Sequence, residues 1–102
     1  MKVYILSSRV NKFIDSLEKK LKENVLQSLE FLGDYNYTLE MPISRSLGDG
    51  LFELRIKEMG NVRVFYAFKD GVIWVLHAFL KKTNKTPIRE LRYAKKQKRR
   101  LQ

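Results

Sequence analysis

The sequence has no cysteine, one histidine and two prolines, and its 11 acidic residues are outnumbered by 21 lysines and arginines. Without thiols there can be no disulfide, and a single histidine is a poor basis for a zinc site. No metal or other cofactor is therefore expected. A lack of cysteine also fits a reducing compartment. No apolar run approaches the ~20 residues that span a bilayer, and Met1 to Leu6 is too short for the hydrophobic region of a signal peptide. A soluble, cytoplasmic protein is the expectation. Neither a Walker phosphate loop nor a dinucleotide fingerprint occurs.

What is present suits one small domain over residues 1–102, in which 44% hydrophobic and 12% aromatic residues supply a core. The net charge of +10 is concentrated at one end. From Lys81 onward ten cations face a single acid, Glu90, whereas the first 80 residues are nearly balanced. This asymmetry points to a polyanion such as nucleic acid, or to an acidic protein partner. A membrane surface fits less well, because the basic tail lacks an apolar face to insert.

Along the chain, Met1 to Leu6 alternates as a short strand buried on both sides. Ser7 or Ser8 caps a helical segment in which Val10, Phe13, Ile14, Leu17, Leu21, Val25, Leu29 and Leu32 form one stripe. An unbroken helix from Ser8 to Leu32 would run ~37 Å, too long for so small a domain. A helical hairpin turning near Lys19 to Lys22 is expected instead. Gly33 offers a left-handed stop, and Ser44 to Gly50 reads as polar turn.

The segment from Leu51 to Lys85 organises the rest. Phe52, Leu54 and Ile56 alternate with Glu53, Arg55 and Lys57, the period of a strand with one buried and one wet face. Glu58-Met59-Gly60-Asn61 and Lys69-Asp70-Gly71 are turn signals on either side of Val62 to Phe68. Val72 to Leu80 is apolar almost throughout, as in a central strand. These three runs predict an antiparallel meander. Thr86 as cap and Pro87 as first helical residue then open a basic helix with a thin stripe of Ile88, Leu91, Ala94 and Leu101.

Pairing across the first turn gathers Arg55, Lys57 and Arg63 on one face. Cations so close repel one another unless an anion lies between them, and Lys81, Lys82 and Lys85 extend the same region. Such a cluster suits phosphate binding and stabilisation of the charge that grows when the phosphate is attacked. Glu53 reads as a surface ion-pair partner, His77 and Trp74 as core residues, and Phe65 as a possible base-stacking ring. Tyr93 reads as helix surface, with base stacking the functional alternative.

The runs Gly50-Leu51-Phe52-Glu53-Leu54-Arg55, Val62-Arg63-Val64-Phe65-Tyr66 and His77 through Pro87, with its KKTNKTP segment, resemble the RelE/ParE toxin superfamily, in particular its HigB-like, phage-derived branch. The resemblance covers nearly the whole chain. It implies an α+β microfold, an antiparallel sheet made of the N-terminal strand and the meander, packed on the helical hairpin and followed by the basic helix. It also implies a toxin of a type II toxin–antitoxin system: a metal-independent endoribonuclease, or mRNA interferase, that cuts mRNA on the ribosome. The implied partners are a HigA-like helix-turn-helix antitoxin, mRNA and ribosomal RNA, with no membrane and with DNA only through the antitoxin. Arg55, Arg63 and Lys82 fall at catalytic positions by this resemblance. Lys57, Lys81, Lys85, Arg89, Arg92, Tyr93, Lys95 and Lys96 would contact RNA or the ribosome. Glu53 stands where a relative such as RelE has lysine, and Lys81 and Lys82 compete for one aligned position. A gyrase inhibitor of the ParE type and a noncatalytic RNA-binding module are the alternatives.

Overall fold

The helical stripe breaks at Leu17 and Glu18, both extended, so that α1 (Ser8–Ser16) and α2 (Lys19–Tyr35) form the hairpin. Leu17 ends the first helix and Glu18 starts the second: its carboxylate accepts from the Leu21 amide at 2.7 Å and the Lys20 amide at 3.1 Å, satisfying donors that a first turn leaves free. Lys19 to Lys22, expected at the bend, are the first turn of α2. The chain is described by a computed structural model over residues 1–56 and 61–101. Lys57 and the Glu58-Met59-Gly60 part of the expected turn lie outside the described residues.

Gly33 does not end α2, which continues to Tyr35 and is capped by Asn36 with φ of 32°. Gly33 lies buried inside the helix, where a Cβ would sit 2.8 Å from the Met1 carbonyl oxygen. The glycine there permits the N-terminal strand to cross the helix closely.

Among the described residues five strands form one sheet: β1 (Val3–Ile5), β2 (Ser44–Gly48), β3 (Leu51–Arg55), β4 (Val62–Lys69) and β5 (Val72–Leu80), in the order β1-β5-β4-β3-β2. The α+β arrangement and the antiparallel meander β3-β4-β5 are as expected. Two details differ. The sheet is mixed, because β1 runs parallel to β5, and Ser44 to Gly48 is a fifth strand rather than a turn. That polar strand is held by its ladder to β3 and by a 2.6 Å hydrogen bond between the hydroxyls of Ser44 and Tyr66. Asp49 and Gly50, at φ of 54° and 76°, close the hairpin in the left-handed geometry that favours such residues.

Each face of the sheet has its own cluster of buried residues. Leu54, Ile56, Val62, Val64, Tyr66, Ile73 and Val75 pack against Val10 and Ile14 of α1 and Val25, Leu29 and Leu32 of α2. On the other face Leu51, Phe65, Ala67, Leu76 and Phe79 meet Ala94 of α3 (Ile88–Arg99), with Leu91 and Leu101 beside it. The basic helix is thus docked on the sheet. Pro87 is its cap residue rather than its first helical one, and Ile88, expected in the apolar stripe, is 64% exposed. The face expected to be wet is covered over much of its area, so Phe65, fully buried, is not available to stack on a base.

Candidate functional site

The α3 face carries a row of charge beside its apolar patch. In the register of the sheet Arg45 of β2 lies opposite Glu53 of β3, which lies opposite Phe65 of β4 and, next, His77 of β5. One step along, Arg55 of β3 lies opposite Arg63 of β4. Strand alternation therefore sets Arg45, Glu53, Arg55 and Arg63 on one face, with Glu53 and Arg63 diagonal neighbours.

Glu53 is the departure from expectation. It is not a surface ion-pair partner: its side chain is fully buried, with Oε1 3.3 Å from Nη2 of Arg45 and Oε2 accepting from the Thr86 hydroxyl at 3.2 Å. Thr86 thereby fastens the KKTNKTP segment to β3 instead of capping α3. A buried carboxylate requires compensating donors and positive charge; Arg45 pairs with this one and Arg63 lies diagonal to it.

Arg63 is half-buried, and its Nη1 donates to the Val62 carbonyl at 3.0 Å. Burial lowers its pKa; the Glu53 carboxylate opposes that shift, and the neighbouring positive charges of Arg55 and Arg45 add to it. An arginine so placed stays protonated, and its lowered pKa reflects first its burial and only then the cations beside it.

The expected cationic residues are divided between two places. Lys81 is buried, and its amide donates to the Asn61 carbonyl, extending the β4-β5 ladder past the end of β5. The alternation that puts Phe79 on the α3 face puts Lys81 there too. Lys82 is exposed and lines a cavity of about 460 Å³ beside β5, bordered by Arg9 and Phe13 of α1, His77, Arg89 and Glu90. Neither Arg55 nor Arg63 lines that cavity. Arg55 borders a second cavity, of about 560 Å³, against Lys20, Asn24 and Phe31 of α2.

In the first cavity His77 is a buried, partnered histidine. Its Nε2 lies 2.9 Å from Oε1 of Glu90, and its ring stacks on Phe79. Burial lowers its pKa, the hydrogen bond and charge of Glu90 oppose this, and Arg9 adds to the lowering. Tyr93 is not simply helix surface: its ring packs 4.5 Å from that of His77, with the Arg9 guanidinium 4.3 Å from its centroid. Lys85, Arg89, Arg92, Lys95 and Lys96 are exposed, the last four along α3. Among the described residues, no three His, Cys, Asp or Glu side chains gather into a group that would hold a metal. Nor is any described helix long and apolar enough to cross a membrane.

Arg45, Arg9 and Glu90 are the members of these clusters that sequence reasoning missed. Arg45 sits in a segment read as turn. Arg9 and Glu90 meet His77 only through tertiary packing, for which sequence spacing holds no signal.

Comparison with curated proteins gives no match. Residues 12–99 match the family described as phage derived protein Gp49-like (DUF891), from inside α1 to the end of α3, thereby including the whole charged face and the KKTNKTP segment. The chain belongs to this Gp49-like family, which is related to the RelE-type toxins of toxin–antitoxin systems.

Proposed function

We propose that the protein is the toxin of a type II toxin–antitoxin pair and acts as an mRNA interferase on the ribosome. The observation that carries this reading is the Arg55–Arg63 pair, opposed across β3 and β4 and flanked by Arg45. Three guanidiniums near one acid leave an excess of positive charge and many N–H donors for a phosphate.

In the reaction the 2′-oxygen of a ribose attacks the adjacent phosphorus and the bond to the 5′-oxygen breaks. The products are a 2′,3′-cyclic phosphate and a 5′-hydroxyl. The 2′-hydroxyl loses a proton and the leaving oxygen gains one. Because the nucleophile is part of the substrate, the main demand on the protein is to hold the phosphate in line and to stabilise the added charge on its oxygens. Arg63 and Arg55 fill that role, with Lys81 on the same face. Lys82, together with Arg9 and Arg89, contacts the flanking backbone, and the cations of α3 seat the protein on ribosomal RNA through salt-sensitive contacts. A helix-turn-helix antitoxin of the HigA kind neutralises it.

The test is Arg63→Ala in a protein whose melting curve shows it folded. Cleavage of translated mRNA, mapped as new 5′ ends, should fall ~10²–10³-fold, the usual loss for one donor to a developing oxyanion, and growth arrest should fall with it. Unchanged cleavage overturns the assignment. Gyrase-linked DNA breaks in place of RNA ends would make the protein an inhibitor of the ParE type, and ribosome binding without cleavage would make it a noncatalytic RNA-binding module.

A further inference from the structure

Glu53 is an acid at the centre of a surface whose proposed work is to bind an anion. It contributes no charge that a phosphate would seek. Yet its side chain is completely buried, it faces Arg45 directly across the β2-β3 ladder, and it lies diagonal to Arg63 across the β3-β4 ladder. Its Oε2 takes the Thr86 hydroxyl, while its buried Oε1 has only the 3.3 Å ion pair with Arg45 and no closer hydrogen bond among the described residues. That oxygen retains acceptor capacity, and it is aimed into the arginine row.

Arginine side chains are long, and several of them on one face repel one another. Without an internal anion, the lowest-energy arrangement would splay their guanidiniums apart into solvent. A fixed carboxylate among them opposes that preference: it holds Nη2 of Arg45 at 3.3 Å and sets a negative charge beside the diagonal Arg63.

We infer that Glu53 is a positioning residue: a resident counter-anion that sets the guanidiniums of Arg45 and Arg63 in a common orientation and ties the KKTNKTP segment to them through Thr86. This deepens the nuclease reading and rests on it for its catalytic consequence. Glu53 itself touches no substrate, and its effect is transmitted through the two arginines. It belongs to the face as much as Arg55 does, since one residue of β3 aligns the cations and the other adds to them.

The experiment compares wild type with Glu53→Gln, Glu53→Asp and the double variant Arg45→Gln/Glu53→Gln. The double variant replaces the buried ion pair by an amide pair, so that no charge is left unpartnered if Glu53→Gln alone does not fold. Two quantities are measured on folded protein: the single-turnover cleavage rate on saturated ribosome–mRNA complexes, and arginine side-chain Nε–H spectra of the free protein. Loss of alignment is expected to lower the cleavage rate ~10²-fold, the effect of displacing a reacting group by about an ångström. Affinity for a short RNA should stay within ~3-fold of wild type, because the positive charge is retained or increased in the single variants. The Arg45 and Arg63 Nε–H signals should be sharp in wild type, broadened by exchange in Glu53→Gln and partly restored in Glu53→Asp.

A folded glutamine or double variant that cleaves at the wild-type rate overturns the proposal. So does one that loses rate and affinity in equal proportion with its arginine spectra unchanged. If wild type itself cleaves nothing, the nuclease reading fails, while the arginine spectra still decide whether Glu53 orders the row.

Discussion

The two faces of the sheet are built to different rules. Toward α1 and α2 the sheet's inward side chains are mostly aliphatic or aromatic, and the polar pair of Ser44 with Tyr66 is mutually satisfied. Toward α3 an apolar patch around Phe65, Leu76, Phe79 and Ala94 shares the surface with Arg45, Glu53, Arg55, Arg63 and the His77–Glu90 pair. A dry face can hold a fold together by burial alone. Charge placed next to apolar surface gains strength as water is excluded, but requires every buried group to be matched. The first face is where the sheet acquires its stability; the second is where it can act on something else.

That contrast is broken or sharpened most directly by removing one residue from each face. Leu32, on the side of α2 that packs against the sheet, is completely buried, and Leu32→Ala should cost ~2–5 kcal/mol of unfolding free energy, read by urea denaturation, with little effect on the cleavage rate proposed for the remaining folded protein. Arg63→Ala should show the opposite profile, with most of the activity gone and stability changed by much less. If Leu32→Ala abolished chemistry in folded protein, or Arg63→Ala mainly unfolded the chain, the division of labour between faces would be wrong.

Sequence periodicity carried the fold a long way and the site only part of the way. Alternation in Leu51 to Arg55 and Val62 to Phe68 was enough to place Arg55 and Arg63 side by side, because a strand's period leaves no freedom about which face a residue takes. It could not say whether that face was covered. The apolar patch is covered by α3, whose thin stripe of Leu91, Ala94 and Leu101 gave little sign of it, and the groups set against Glu53, Arg45 and Thr86, come from segments read as a turn and a helix cap. The strand Ser44 to Gly48 was hidden for a related reason: its residues have weak strand preferences, and pairing with β3 imposes the conformation. Between β4 and β5 the register shifts at Phe65 and Tyr66, whose partners are His77 and Val75, so Leu76 of β5 is an extra residue that a strict two-residue period cannot place. Lys81 and Lys82 were indistinguishable for want of a known strand end; the Lys81 amide bonded to Asn61 supplies it.

The His77–Glu90 pair tests how α3 is held to the sheet, with a smaller effect. The folded-state pKa of His77 is lowered, chiefly by burial, so the unfolded chain binds the proton more readily. The stability conferred by neutral His77 is then fully present above the ordinary histidine value of ~6.5 and is lost as pH falls through that value toward the folded one. Wild type should therefore lose more stability between pH 7.5 and pH 5.5 than His77→Gln does, when both are followed by urea unfolding at each pH. Identical pH slopes would mean that the proton on His77 is not coupled to folding.

The smallest effect is expected on the outer side of α3, where Arg92 is exposed and forms no ion pair among those found in the described residues. On the proposed reading a cation there contributes to RNA binding by displacing counterions, not by shaping a site. Arg92→Ala should weaken ribosome binding modestly at low salt and reduce the slope of log affinity against log salt by about 1, leaving the saturated cleavage rate unchanged. Its neighbour Lys96, one turn on along the same helix, should behave alike, and the two losses should add because exposed side chains with no shared partner are independent. A lowered cleavage rate at saturation in Arg92→Ala would move the catalytic boundary onto α3 and end the distinction between a face that aligns the phosphate and a helix that only docks it.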